Sequence, residues 1–128
     1  INITNGDSWF TFLIIVWLSA LSSAFVDNIP FTATMIPVID SINENSIIAS
    51  AFDSFQISPL WWALSLGANF GGNGTLIGSS AAIIAVGLAE KFHYGITYNR
   101  FIKVGFPFMV LTLLAGTLVL LIDTLLRI

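Results

Sequence analysis

The sequence has no cysteine, one histidine, and few charges: four Lys and Arg against seven Asp and Glu. Without cysteine there is no disulfide framework and no thiolate metal site. A net charge of −3 is too small to point to a charged partner, and four cations leave no electrostatic footprint for nucleic acid. Charged residues make up only 9% of the chain, where a soluble domain carries about a quarter. Apolar residues fill the gap. They make up 56% of the chain, with eleven Phe and four Trp, and the mean hydropathy is +0.93. That aromatic load does not fit the small core of a soluble domain, so composition sets the chain in a bilayer.

The chain opens on Ile1-Asn2-Ile3-Thr4-Asn5-Gly6-Asp7, without Met, a charged leader region or a cleavage site. No signal peptide is read. The expectation is an internal or C-terminal piece of a longer, multi-pass protein of the plasma or cell inner membrane.

Within the apolar sequence one polar cluster stands out. Ser22-Ser23-Ala24-Phe25-Val26-Asp27-Asn28-Ile29-Pro30 separates the apolar runs Trp9–Leu21 and Phe31–Ile39. Hydrocarbon offers Asp27 and Asn28 no water, so an ionisable residue at that depth reads as functional. Pro30 breaks an ordinary helix ladder. Trp9–Val26 is short for a span of about 20 residues, and the second arm is shorter. Two arms around a polar tip fit a re-entrant hairpin over about 8–39. Irregular backbone at depth is tolerated there only inside protein or a watery cavity. Ser19, Ala20, Ser22, Ser23 and Ala24 suit close packing of the first arm.

A polar outside loop is expected over about 40–57, with Asp40, Glu44 and Asp53 and a weak apolar stretch from Ile47 to Phe52. Pro59 suits a first helical turn. From there a broken crossing is expected over about 59–90, interrupted at Phe70-Gly71-Gly72-Asn73-Gly74-Thr75. Each glycine there costs a continuous helix about 1 kcal/mol. The helix is expected to resume at Leu76. A last helix follows over about 101–127, with Gly105 and Pro107 near its entrance. The fold class is an all-α membrane protein: re-entrant hairpin, one broken transmembrane helix, one further transmembrane helix. Lys91, Arg100 and Lys103 put their loop in the cytoplasm and the 40–57 loop outside.

A hairpin tip and a broken helix are recurring parts of secondary-transporter sites: half-helix N-termini carry positive dipole ends, and unwound backbone holds cations. The tip supplies Asp27, Asn28 and Thr32; the break supplies Asn69, Asn73 and Thr75. Pro30, Gly71, Gly72 and Gly74 interrupt the backbone. Oxygens of Asp27, Asn28, Asn73 and Thr75 are hard ligands suited to Na⁺, and Asp27 alternatively carries a proton. Each feature has a plainer reading. Asp27–Pro30 reads as a capped turn, and Gly67/Gly71 or Gly74/Gly78 as small-residue packing faces. His93 and the tryptophans Trp9, Trp17, Trp61 and Trp62 read as interface anchors or packing.

Ser-Ala-Phe-Val-Asp-Asn-Ile-Pro-Phe-Thr-Ala-Thr-Met-Ile-Pro (Ser23 to Pro37) resembles the hairpin signature of the arsenite/sodium–proton permease (ArsB/NhaD type) family of the ion transporter superfamily. Gly-Ala-Asn-Phe-Gly-Gly-Asn-Gly-Thr-Leu-Ile-Gly-Ser-Ser-Ala (Gly67 to Ala81) resembles its broken-helix signature. The resemblance covers essentially the whole chain. It implies two inverted repeats, of which this chain is the second, with the rest of the site in an N-terminal half. It also implies alternating access with a small inorganic ion as substrate, as cation/proton antiport or arsenite-like efflux. No cofactor is implied beyond a coupling Na⁺ or H⁺. In the related dicarboxylate and citrate carriers a Ser-Asn-Thr tip holds sodium and substrate. Asp27-Asn28 takes the corresponding place here, which leans away from carboxylate substrates. The partners are the bilayer, the N-terminal half and, compatibly, a second copy in a homodimer, with nucleic acid excluded.

Three other functions compete: an organic-anion or dicarboxylate carrier, a membrane assembly subunit that transports nothing, and a nucleotide-binding enzyme. The enzyme reading rests on Gly72-x-Gly74-x-x-x-Gly78. That spacing is wrong for a dinucleotide fingerprint, no strand precedes it, and no Gly-Lys-Ser/Thr is present. The expectation is that the chain is not an enzyme.

Overall fold

A computed structural model describes residues 8–53 and 55–127; the polar lead-in read over Ile1–Asp7 lies outside them. Regular structure among the described residues is entirely helical: α1 (Ser8–Ser23), α2 (Asn28–Asn43), α3 (Ser46–Ala51), α4 (Pro59–Gly71), α5 (Ser80–Lys91) and α6 (Tyr98–Arg127).

The core is the seam between α1 and α4. Phe12, Val16, Ser19, Ala20 and Ser23 of α1 are buried against Leu60, Ala63, Leu64, Gly67, Ala68 and Gly71 of α4. Both stripes recur at three- and four-residue intervals, which lines them along one face of each helix. Small side chains let the two backbones nearly touch. A Cβ on Gly67 would lie 2.5 Å from the Val16 carbonyl oxygen and 2.7 Å from Ser19 Cβ, and one on Gly71 would strike the backbone of Ala20. Gly67/Gly71 is therefore a packing face. Gly74 and Gly78 belong to no helix; they sit in the break, where a Cβ on Gly78 would come within 2.6 Å of the Ser23 carbonyl oxygen.

Around this pair, α2 lies against α4 with Ile39 buried, and α6 crosses α4 and α1 with Met109 and Leu113 buried. The Phe70 ring seats over Gly116, whose added Cβ would be 2.9 Å away. Trp17 and Trp61 pack against the core, whereas Trp62 is exposed. Among the described residues α5 packs along no other helix, and none of its residues is buried.

Several elements differ from the sequence expectation. The expected outside loop is largely helical: α2 continues through Pro37 to Asn43, and α3 buries Ile48 beside Phe52. Proline inside α2 removes only one ladder bond, to the Ala33 carbonyl, and Thr34 makes a side-chain bond to the Phe31 carbonyl at 2.7 Å. Pro107 is likewise internal, because α6 starts at Tyr98 after Thr97, whose hydroxyl accepts from the Arg100 amide at 3.4 Å. The second half-helix starts at Ser80 rather than Leu76, since the Ser79 hydroxyl caps it by accepting from the Ala82 amide at 3.3 Å. After α5, His93 holds a φ of 64°, the left-handed position that usually ends a helix on glycine.

At about 1.5 Å per residue, the 13 residues of α4 and 12 of α5 each fall short of a bilayer core of about 30 Å. Only end to end do they reach across. One described helix is long and apolar enough to cross a membrane alone, α6 over Tyr98–Asp123.

Candidate functional site

The site forms where the α1–α2 turn meets the break between α4 and α5. Asp27 occupies the N-cap position of α2 but makes no side-chain cap bond there. Its carboxylate instead accepts a hydrogen bond from the hydroxyl of Ser80, in the first turn of α5. The plain capped-turn reading therefore fails for the side chain: it is directed across to another element. Two helix N-termini, those of α2 and α5, consequently flank one carboxylate, and their positive ends favour negative charge between them.

The neighbouring contacts repeat this tie. Asn28 Nδ2 donates to Asn69 Oδ1 at 3.3 Å, and Asn69 Nδ2 donates to the Ser65 carbonyl at 2.7 Å. The buried Thr75 hydroxyl donates to the Ala24 carbonyl and accepts from the Gly78 amide at 3.3 Å. Ser23 Oγ donates to the Ala68 carbonyl at 2.6 Å. These bonds satisfy polar atoms left over where α1 ends and α4 unwinds, which buried backbone requires. Gly71, Gly72 and Gly78 allow the approach: a Cβ on Gly72 would lie 2.8 Å from the Gly78 carbonyl oxygen.

Not every expected residue converges. Asn28 meets Asn69 directly, Asp27 reaches Ser80, and Thr75 ties the break to Ala24 beside the tip. Thr32 is half-buried further along α2 and makes no hydrogen bond to the break. Asn73 turns to α6: its carbonyl oxygen lies over Gly105, where a Cβ would be 2.5 Å away, and it lines a cavity beside Arg100. Thr75 has its hydroxyl committed to Ala24 and Gly78, so in this conformation it pins the break to the tip. Pro30 sits in the first turn of α2, where its missing N–H costs nothing. Among the described residues no cluster of three or more His, Cys, Asp or Glu is present.

The sequence reading missed Ser80 and the structural roles of Ser23 and Ser79. The pair Ser79-Ser80 directly before an apolar run was the available signal, since serine marks helix starts. Nothing local shows that the second serine faces a carboxylate 53 positions away.

An all-helical chain with one long apolar span, and a helix interrupted beside a polar turn, has the features of a membrane transport unit. Residues 1–67 match the citrate transporter family, CitMHS, and the chain belongs to that family, within the ion transporter superfamily. It is 46% identical over 110 residues to the P protein of Sus scrofa, a match covering 86% of this chain and 12% of that protein. It is 35% identical over 116 residues to the 46 kDa membrane protein of Mycobacterium leprae, covering 90% and 26%. Against an uncharacterized transporter of Synechocystis sp. it is 33% identical over 118 residues, covering 85% and 26%. The chain thus spans only 12% to 26% of these relatives. No solved structure matches it.

Proposed function

We propose that this chain is the C-terminal repeat of a secondary active transporter. In this reading α1 and α2 form a re-entrant hairpin, α4 and α5 one interrupted crossing, and α6 a full span. The Asp27 carboxylate is the group that takes up and releases the coupling ion, H⁺ or Na⁺, during alternating access. The observation that carries the reading is the Asp27–Ser80 hydrogen bond. It joins the tip to a half-helix that packs along no other helix among the described residues. Loading the carboxylate with an ion competes with the serine for the same oxygens, so ion occupancy and the position of α5 are linked. Asn28 and Asn69 supply neutral amide oxygens beside it, and Thr75 holds the geometry.

Cation/proton antiport or arsenite-like efflux suits a site whose single ionisable group is an acid. An organic-anion carrier is the second reading, favoured by the description of the matching family as citrate transporters. Transport by the full-length protein, reconstituted in vesicles, tests both. Asp27→Asn keeps the shape and removes the charge, so it should leave abundance normal and abolish transport or its Na⁺ or pH dependence. Asn28→Ala should weaken apparent ion affinity without removing coupling. Wild-type ion dependence in Asp27→Asn refutes the assignment. Citrate as the driven substrate would select the second reading.

A further inference from the structure

Away from the tip, a cavity of about 530 Å³ opens between the α5–α6 loop, the first turns of α6 and the break; its walls include Tyr94, Ile96, Phe101, Val104 and Phe108, and its cation is Arg100. Among the described residues no acid pairs with Arg100, although a guanidinium presents five N–H donors in a planar fork matched to phosphate and carboxylate. The surroundings are amphipathic. Phe92 and Tyr94 are each 72% exposed on the same loop, the behaviour of aromatic anchors at a membrane–water boundary. Lys91 and Lys103 are exposed nearby in the sequence. A small soluble polyanion would want several cations and few apolar walls; this cavity has one cation and mostly aromatic and aliphatic lining. Such chemistry suits a ligand with one anionic head and an apolar body.

We propose that this cavity binds the headgroup and upper acyl region of an anionic phospholipid. Arg100 grips the phosphate, and Phe101, Val104 and Phe108 line the acyl chain. Anionic lipids of the cytoplasmic leaflet attract basic juxtamembrane segments, and the Lys91–Lys103 stretch is the basic end of this chain. Asn73 shares the lining, so the bound lipid also touches the break. The proposal does not rest on the ion site, because binding is read without transport.

The test uses full-length protein in detergent, titrated with short-chain phosphatidylglycerol, the matching phosphatidylcholine and inorganic phosphate, with bound ligand counted by native mass spectrometry. Phosphatidylglycerol should bind more tightly than the other two. Arg100→Gln should lower its affinity about tenfold, the loss of one charge-assisted contact, and Arg100→Lys should restore part of it. Gly95 lines the cavity, and a Cβ there meets nothing within 4 Å, so the backbone can carry a side chain, and Gly95→Trp should obstruct lipid binding with Arg100 intact. Unchanged phosphatidylglycerol affinity in both Arg100→Gln and Gly95→Trp would overturn the proposal. Equal binding of phosphatidylcholine would overturn it as well, as would phosphate binding as tightly as the lipid, which would mark a soluble-anion site.

Discussion

Adding one methyl group at Gly71 should damage the fold that adding one at Gly87 leaves intact. Both glycines are helical, and alanine in a helix interior gains about 1 kcal/mol over glycine. At Gly87, in α5, the new Cβ meets nothing within 4 Å, so Gly87→Ala should be neutral or stabilising by up to that amount. At Gly71 it strikes the carbonyl oxygen, Cα and carbonyl carbon of Ala20. These are backbone atoms, so no rotamer change relieves the clash, and α1 and α4 must separate along the seam that forms the core. Overpacking costs about 1–3 kcal/mol, and a backbone-limited clash belongs at the upper end. Gly71 is the last residue of α4, so propensity offsets at most about 1 kcal/mol and leaves Gly71→Ala destabilised by roughly 2 kcal/mol or more. The assay is thermal unfolding of the full-length protein in detergent, with both variants beside the wild type. A midpoint for Gly71→Ala equal to or above that of Gly87→Ala would refute the close α1–α4 approach.

Thr75→Val keeps the shape and removes the hydroxyl bonded to Ala24 and Gly78. Leaving a buried carbonyl unpaired costs about 1–3 kcal/mol, so the full-length variant should unfold at lower temperature, and an unchanged midpoint would show that the break is not pinned there. Single cysteines at the exposed positions Ala49 and Asn99 should react with an impermeant thiol reagent from opposite faces of the membrane; labelling from one face would overturn the count of crossings.

Much of the architecture was legible in the residues. Glycine at 67 and 71 opposite a small-residue face on the first arm announced close helix packing, and three glycines around Asn73 announced the break. The expense of polar groups in hydrocarbon singled out Asp27 and Asn28, which bond to Ser80 and Asn69. What stayed hidden depends on tertiary partners. The sequence reading ends the second arm near Ile39 and begins the last helix near Phe101, yet α2 runs on to Asn43 and α6 starts at Tyr98, each carrying an internal proline. Ile48 and Phe52 lie in a polar stretch, and their burial depends on the core they cover. A left-handed His93 carries no glycine signal. Asn73 sits among site residues in sequence, but its carbonyl oxygen lies over Gly105 of α6, a contact that only the tertiary packing of the turn sets.

The central claim is that the tip and the break act as one ion site, and a double-mutant cycle measures it most directly. Asp27→Asn, Ser80→Ala and the double variant are prepared in the full-length protein, and the unfolding midpoint in detergent is read for each, with the apparent coupling-ion affinity read for wild type and Ser80→Ala. Ser80→Ala alone should lower the midpoint and shift that affinity at normal abundance. Directly contacting residues are coupled, so removing Ser80 should add little once the Asp27 carboxylate is gone, and the double variant should match Asp27→Asn. Fully additive effects, or no effect of Ser80→Ala, would contradict a shared site.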